Sequence, residues 1–333
     1  MKAVLCKQFG PPSSLVVEEV APLQPAPGEV VVAVHAAAVN FPDSLIIENK
    51  YQFKPELPFS PGGEVAGTVA VIGEGVTGWA VGDPVIAMCG WGGFADELRV
   101  NASKLIRLPA GVPMDAASAL VLTFGTTHYA LKSRAHLQPG ETLLVLGAAG
   151  GTGLSAVELG KLMGARVIAA ASTDEKLALC RASGADECIN YSTEDLRAGI
   201  KRITGGKGVD VVYDPVGGDY TEAALRSMAW GGRLLVIGFT TGTIPRPPLN
   251  LPLLKGCSIV GVFYGGFVEQ EPARADALMQ ELLGWLSQGR IRPVISEHLP
   301  IESAAQALQT MAARQAVGKI VMTTALGRSA GLP

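Results

Sequence analysis

The order of apolar and polar positions divides the chain into two textures. Up to about residue 109, short β-rich runs at 15–20, 29–35, 67–72 and 83–88 alternate with turn signals. These signals are Pro25-Ala26-Pro27-Gly28, Gly73-Glu74-Gly75 and Gly90-Trp91-Gly92-Gly93. Short strands punctuated in this way predict a small barrel or sandwich. Beyond Pro113 the texture changes: apolar runs at Thr142–Leu146, 166–170, 209–213, 233–237 and 258–263 alternate with segments of helical spacing. Ala156, Leu159 and Met163 share one helix face, and so do Leu196, Ile200 and Ile203. The second of these helices follows a capping signal, Ser192-Thr193-Glu194-Asp195. Apolar strands separated by helices predict a parallel sheet covered on both faces. The tail adds helices at 275–287 and about 303–312 and a strand at Lys319–Thr323, while 327–333 has no apolar period and is predicted to fray. The parallel-sheet region therefore reads as inserted into the β-rich domain.

Composition narrows the class. With 48% hydrophobic and 17% charged residues over 333 positions, the chain can bury cores for two domains and does not read as disordered. A net charge of −3 argues against a nucleic-acid footprint. No apolar run of about 18 residues predicts a membrane span. Pro11 and Pro12 come too early for the apolar core of a signal peptide. Five cysteines, Cys6, Cys89, Cys180, Cys188 and Cys257, are widely spaced and form no C-x-x-C pair, which fits a reducing, cytoplasmic location. The 41 glycines exceed the usual fraction of roughly 7% and fall in clusters.

One cluster carries chemistry. The predicted strand Thr142–Leu146 runs into Gly147-Ala148-Ala149-Gly150-Gly151-Thr152-Gly153, and a helix follows. Strand, glycine turn and helix N-terminus in that order make a dinucleotide site, in which free N–H groups and the helix dipole meet a pyrophosphate. The G-x-G-x-x-G pattern is not met literally, and glycines here also permit close helix–strand packing. An NAD site places Asp or Glu about 20 residues on, at the end of the next strand. Here that strand ends in Ala171-Ser172-Thr173, with Lys176 one helical turn later. A hydroxyl and a cation suit a 2′-phosphate, and so NADPH. Asp174 could serve the NAD role if the strand ended two residues later.

With this loop in place, the chain resembles the medium-chain dehydrogenase/reductase superfamily, in its zinc-free quinone oxidoreductase branch. The resemblance rests on Pro27-Gly28-Glu29-Val30-Val31-Val32, Val39-Asn40-Phe41-Pro42-Asp43 and the stretch from Tyr51 to Gly67. It continues through Gly82-Asp83, the glycine loop, Asp210 to Gly218 and Gly318-Lys319-Ile320-Val321. It implies an α/β chain with a GroES-like β-barrel domain, 1–120 completed by 266–333, and a Rossmann doubly wound parallel-sheet domain, 121–265, with the active site in the cleft between them. Zinc-dependent relatives carry Cys where Asn40 stands, His where Gly63 stands before Glu64, and a four-cysteine lobe absent here. The resemblance thus implies NADPH as cofactor, with no zinc and no flavin.

The implied reaction is hydride transfer to a small quinone or enone, whose developing charge delocalises onto oxygen without a metal. Asn40 and Asp43 would lie beside the nicotinamide, although Asn-Phe-Pro-Asp is also good turn chemistry. Tyr51 would donate a proton or hydrogen bond to the reduced substrate, or simply line the cleft. Thr127 would hold the carboxamide, or bond its own helix backbone. Gly150, Gly151, Thr152 and Gly153 would lie under the pyrophosphate. Ser172, Lys176 and Tyr191 would surround the 2′-phosphate, and Gly238, Phe239, Thr240 and Phe263 would close over the ribose and nicotinamide. Alternative readings are an NADPH-dependent enoyl-thioester (acyl-CoA) reductase and a non-enzymatic NADPH-binding protein. The apolar run 258–263 is the expected edge strand of a homodimer.

Overall fold

The computed structural model describes all residues from Met1 to Pro333, which form two compact units, Met1–Leu122 with Arg292–Pro333, and Thr123–Ile291. The first unit is built on a mixed seven-stranded sheet in the order Ile295–Pro300, Lys319–Thr323, Glu29–Ala38, Glu64–Ile72, Pro84–Met88 and Leu105–Arg107, with Glu97–Asn101 also pairing Glu29–Ala38. The central strand Glu29–Ala38 reads EVVVAVHAAA, and Val30, Val32 and Val34 point into one continuous core with Val65, Val69, Val85 and Phe94. Two of the seven strands come from the end of the chain. This is the GroES-like barrel that the sequence predicts.

The register of the central strands has a chemical consequence. Lys319–Thr323 runs antiparallel to Glu29–Ala38 with Val321 opposite Ala38, so the pairing carried two residues further sets Lys319 beside Asn40. On the other edge Ala37 pairs with Val65, which brings Glu64 to the same end of the sheet. There the chain turns into the helix Phe41–Ile47, with Asn40 as N-cap and Pro42 in the first turn. The turn expected at Asn-Phe-Pro-Asp is therefore the entry to a helix.

The second unit is a six-stranded, all-parallel sheet in the order Glu187–Asn190, Arg166–Ala171, Thr142–Leu146, Val209–Asp214, Met228–Val236, Ser258–Gly261. That order, 3-2-1-4-5-6 in chain sequence, reverses between Thr142–Leu146 and Val209–Asp214, the switch point of a Rossmann sheet. Residues 143–146, 167–170 and 211–213 are buried, as continuous apolar runs require. The predicted cap of the helix Leu196–Thr204 is present: Asp195 accepts from the Ala198 N–H at 2.8 Å.

The structure departs from the sequence reading in three places. The segment after 265, expected to complete the barrel, falls to the second unit as far as Ile291. There the helix Pro272–Ser287 buries Ala275, Leu278, Met279, Leu282 and Leu283, and its Glu281 takes hydrogen bonds from His128 Nε2 at 2.9 Å and Lys132 Nζ at 2.6 Å. The edge strand is shorter than 258–263 and stops at Gly261, because Phe263 caps a helix, Tyr264–Gln270. Finally, the tail does not fray. Thr324 caps the short helix Ala325–Ser329 through the Gly327 N–H at 3.1 Å and donates its hydroxyl to the Val34 carbonyl.

The tail docks where it does because Gly327 has no side chain: a Cβ there would lie 2.2 Å from the His35 carbonyl oxygen. Gly327→Ala gains intrinsic helix propensity of about 1 kcal/mol. It also forces backbone apart, at a cost of about 1–3 kcal/mol. The expected outcome is net destabilisation in urea unfolding together with faster proteolysis of the tail. A variant as stable as the parent, or more so, would show that the tail does not dock.

Candidate active site

In the first unit, the converging strands bury a polar cluster. Glu64 is 0% exposed and Lys319 4%. The Lys319 ammonium donates to Asn40 Oδ1 at 2.6 Å, the Val39 carbonyl at 2.9 Å and Glu64 Oε1 at 3.2 Å. Asn40 Nδ2 donates to Glu64 Oε1 at 2.8 Å and the Ala38 carbonyl at 3.2 Å. Glu64 Oε2 accepts the Leu122 N–H at 2.9 Å. Burying two charges costs several kcal/mol per ion unless each is answered by geometry and hydrogen bonds. Both are answered here. Sequence reading quoted Glu64 and Lys319 only as parts of motifs. The available signal was a charge opening each of two otherwise apolar strands, EVAGTVAVI and KIVMT.

Asp43 completes this end of the unit. Its Oδ2 accepts the Asn40 N–H at 2.8 Å, the N3-to-N-cap half of a capping box. Burial raises its carboxyl to about 7, against the pull of the Asn40 N–H and Lys319, with Glu64 adding to the rise. The Cys89 thiol is pushed up to about 12 by burial first and then by Asp43, and it rests on the Gly62 carbonyl. Tyr51 is partly buried against the same core with its ring 5.8 Å from that of Phe53. Burial and then the charge of Asp43 raise its phenol above the ordinary tyrosine range. Asn40, Asp43 and Tyr51, separate expectations in the sequence, thus belong to one electrostatic neighbourhood.

In the second unit, the expected cofactor residues gather at the carboxyl ends of the parallel strands, where such sheets bind ligands. The helix Gly151–Leu162 starts directly behind Gly150, and no side chain caps it. Gly153 is required by close approach, since a Cβ there would sit 2.3 Å from the Gly147 carbonyl oxygen. Gly150 is different. Its φ is ordinary and its nearest neighbour would be 3.5 Å away, so nothing within the chain demands a glycine there. Open space above uncapped N–H groups is what an anion needs.

On the next strand, Arg166–Ala171 ends before Ser172, and Thr173 caps the following helix by accepting the Lys176 N–H at 3.3 Å. Asp174 begins that helix, and its Oδ1 takes a hydrogen bond from Asn190 Nδ2 at 2.8 Å. Tyr191 is fixed beside this strand end by its N–H to the Ala171 carbonyl, with its ring 4.7 Å from that of Tyr220. Further along the sheet, Asp214 shapes the next loop: it accepts the Val216 and Gly217 N–H groups, each at 2.9 Å, and the Thr221 hydroxyl at 2.6 Å. Gly238 and Thr240 follow the strand Met228–Val236 and donate their N–H groups to the Asp214 and Pro215 carbonyls. Phe239 and Phe263, with Tyr129, Arg134, Val236 and Val262, line a cavity of about 500 Å³.

Thr127, expected to hold the carboxamide, is packed inside the second unit. It is fully buried, with Oγ1 2.7 Å from Ser155 Oγ, 2.9 Å from Tyr213 OH and 3.5 Å from the Thr152 carbonyl. Ser155 Oγ in turn reaches the Thr152 carbonyl at 2.8 Å, so the hydroxyls of Thr127, Ser155 and Tyr213 form one chain. The side chain therefore ties its helix to the glycine-loop helix.

Comparison with known proteins agrees with this architecture. Residues 26–110 match the alcohol dehydrogenase GroES-like domain and residues 151–282 the zinc-binding dehydrogenase family. The chain is 39% identical over 323 residues to quinone oxidoreductase-like protein 2 of Bos taurus, covering 97% of this chain and 92% of that protein. It is 35% identical over 322 residues to quinone oxidoreductase of Pseudomonas aeruginosa, covering 96% and 99%. The structure of Escherichia coli quinone oxidoreductase complexed with NADPH superposes with a TM-score of 0.91 at 29% identity, covering 97% of this chain and 100% of that one. The chain belongs to the quinone oxidoreductase-like branch of the medium-chain dehydrogenase/reductase superfamily.

The family description that names zinc invites a test of the donors present. Asn40 already faces an ammonium, Gly63 offers no side chain, and burial holds the Cys89 thiol protonated. No three His, Cys, Asp or Glu side chains gather to hold a metal ion. These residues do not fit a zinc site.

The Asp43 carboxyl gives a signed pH prediction. Its folded value of about 7 lies above the ordinary 3.8, so between those values the folded protein retains a proton that the unfolded chain has lost. Asp43 therefore makes stability fall as pH rises from about 4 to about 7, with no further change above that. Asp43→Asn should remove this slope and exceed the parent in stability at pH 8 by a few kcal/mol, on the order set by 1.36 kcal/mol per pKa unit. Urea unfolding across that range reads the difference. Parallel curves for the two proteins would clear Asp43 of the effect.

Proposed function

We propose that the protein is an NADPH-dependent oxidoreductase of the cytoplasm that reduces quinones or related activated double bonds without zinc or flavin. The observation that carries the cofactor preference is the end of the strand Arg166–Ala171. No carboxylate follows it directly, Ser172 and Thr173 do, and Asp174 is held by Asn190. The Escherichia coli relative in complex with NADPH supports the same reading. When bound, NADPH supplies the hydride. The N–H groups of Gly151, Thr152 and Gly153 bind the pyrophosphate at the open helix end, with Gly150 leaving room for it. Ser172, Lys176 and Tyr191 bind the 2′-phosphate, and Gly238, Phe239, Thr240 and Phe263 enclose the ribose and nicotinamide. Thr127 positions the glycine-loop helix from beneath. Asn40 and Asp43 shape the reaction site, and Tyr51 gives a hydrogen bond or proton to the reduced acceptor. A proton-donating Tyr51 also suits a second reading, an enoyl-thioester reductase, whose product needs a proton at carbon.

The test is a turnover panel of NADPH and NADH with 1,4-benzoquinone, a naphthoquinone, an enone and crotonyl-CoA. Quinone reduction with at least a tenfold preference for NADPH is expected, and Lys176→Ala should erode that preference. Tyr51→Phe should slow the enone by about 10²-fold, the scale of general acid catalysis, and spare benzoquinone. A preference for NADH would overturn the cofactor reading. Turnover confined to crotonyl-CoA would replace quinone reductase by the second reading.

The partner is proposed to be a second copy of the chain, paired through the edge strand Ser258–Gly261. Trp230 is 83% exposed, Leu253 79% and Leu254 69%, and Ile259 lies on the edge itself. A Cβ at Gly256 would meet the Trp230 ring at 3.0 Å, so Trp230 lies against the turn leading into the edge strand. Exposed apolar surface around an open strand marks an association site. Light scattering at micromolar concentration should give a dimer for the parent and a monomer for Trp230→Glu/Leu253→Lys. A monomeric parent would sink the proposal.

A further inference from the structure

The Asn40 amide cannot be read in either orientation. Its Oδ1 faces the Lys319 ammonium, and its Nδ2 faces two acceptors, Glu64 Oε1 and the Ala38 carbonyl. A flipped amide would set its NH₂ against an ammonium and its oxygen against a carboxylate. Lys319 and Glu64 therefore fix the rotamer by charge. They also determine what remains of the group's hydrogen-bonding capacity. A side-chain amide has two donors and two acceptor lone pairs. Both donors are engaged inside the unit, and one lone pair is taken by Lys319.

We propose that Lys319, with Glu64, is a positioning residue that holds Asn40 as an acceptor-only group in the active site. In this form Asn40 receives a hydrogen bond from a ligand N–H or O–H through the second lone pair of Oδ1. It does not donate to a substrate carbonyl, and it does not polarise one. Polarisation of the acceptor oxygen is left to Tyr51. Lys319 does this from the far end of the chain, 279 residues from Asn40 in sequence, through the register of its strand with Glu29–Ala38. No other cation in the structure approaches Glu64 within ion-pair distance.

The inference rests on the proposed function for its kinetic consequence, but its structural core can be tested without turnover. In ¹⁵N-labelled protein the Asn40 side-chain resonance is assigned by its loss in Asn40→Ala. Lys319→Met should speed solvent exchange of that amide at least tenfold, and Lys319→Arg should restore protection. Where Lys319→Met alone does not fold, Lys319→Met/Glu64→Gln removes both charges together and is read in its place. Unchanged exchange in the folded variant would overturn the proposal. In the turnover assay the same variant should lose at least tenfold in kcat while the KM for NADPH stays within twofold. Adding Asn40→Ala to it should then cost less than a further twofold. Full multiplicative losses from the two substitutions would show that Lys319 does not act through Asn40. A parent protein with no turnover on any acceptor would defeat the functional reading and leave amide exchange to decide on Lys319.

Discussion

A lysine ammonium removed from water must find enough oxygen around it to replace its hydration, and in this protein that requirement organises one whole unit. Lys319 is answered by a carboxylate, an amide oxygen and a backbone carbonyl. Those three groups come from the end of one strand, the turn beyond it and the start of another. They meet only if the strands Lys319–Thr323, Glu29–Ala38 and Glu64–Ile72 keep one register. A slip of a single residue would turn the ammonium to the other face of the sheet and strand Glu64 as an uncompensated charge. The apolar core makes the barrel stable, and the ion cluster makes its register unique. It also explains why the chain must return after the second unit to donate its last strands.

The second unit uses the opposite device. In the first, both charges of the central cluster are answered internally. In the second, the hydroxyl of Thr127 is bonded to its neighbours, yet the helix it touches begins with no side-chain cap. Natural helices usually satisfy their first N–H groups with a side-chain oxygen, and Thr173 and Asp195 do so two helices in succession later in this unit. The bare end at Gly150 lies where the strand order reverses. Open N–H groups at a helix start favour negative charge.

How much of this could be read from the residues depends on the distance over which each interaction acts. Thr142–Leu146 and Lys319–Thr323 were legible to the residue, because an apolar run bounded by glycine needs no partner to be recognised. The glycine loop was legible for the same reason. Asn40 to Asp43 suggested a turn, because Asn, Pro and Asp favour turns and helix starts alike, and only the Asp43 bond to the Asn40 N–H separates them. The tail looked disordered because its docking depends on a glycine meeting a carbonyl almost 300 residues away, which leaves no period in the sequence. The helix Pro272–Ser287 was assigned to the wrong unit because its face is apolar toward either. What settles its place is the bonding of Glu281 to His128 and Lys132. Lys319 was visible as a motif residue, but its partner was not, since charge pairing over such a separation has no local signature.

Asn40, with both donors engaged, also bears on the chemistry. Hydride delivered to a conjugated carbonyl leaves negative charge on the acceptor oxygen, and something must stabilise it as it forms. In a site where zinc donors do not assemble, the candidates in the first unit are an amide with no donor left, a thiol held at about 12, and a phenol beside a carboxyl titrating near 7. The amide has nothing to give, and the thiol is buried and already bonded to a backbone carbonyl. The phenol remains. Burial first and then the charge of Asp43 raise its pKa, so protonation of that carboxyl removes the second cause and makes the phenol a better donor. A quinone, whose reduced oxyanion is shared across an aromatic ring, needs little from such a donor. An enone or thioester, whose enolate is more basic, needs more.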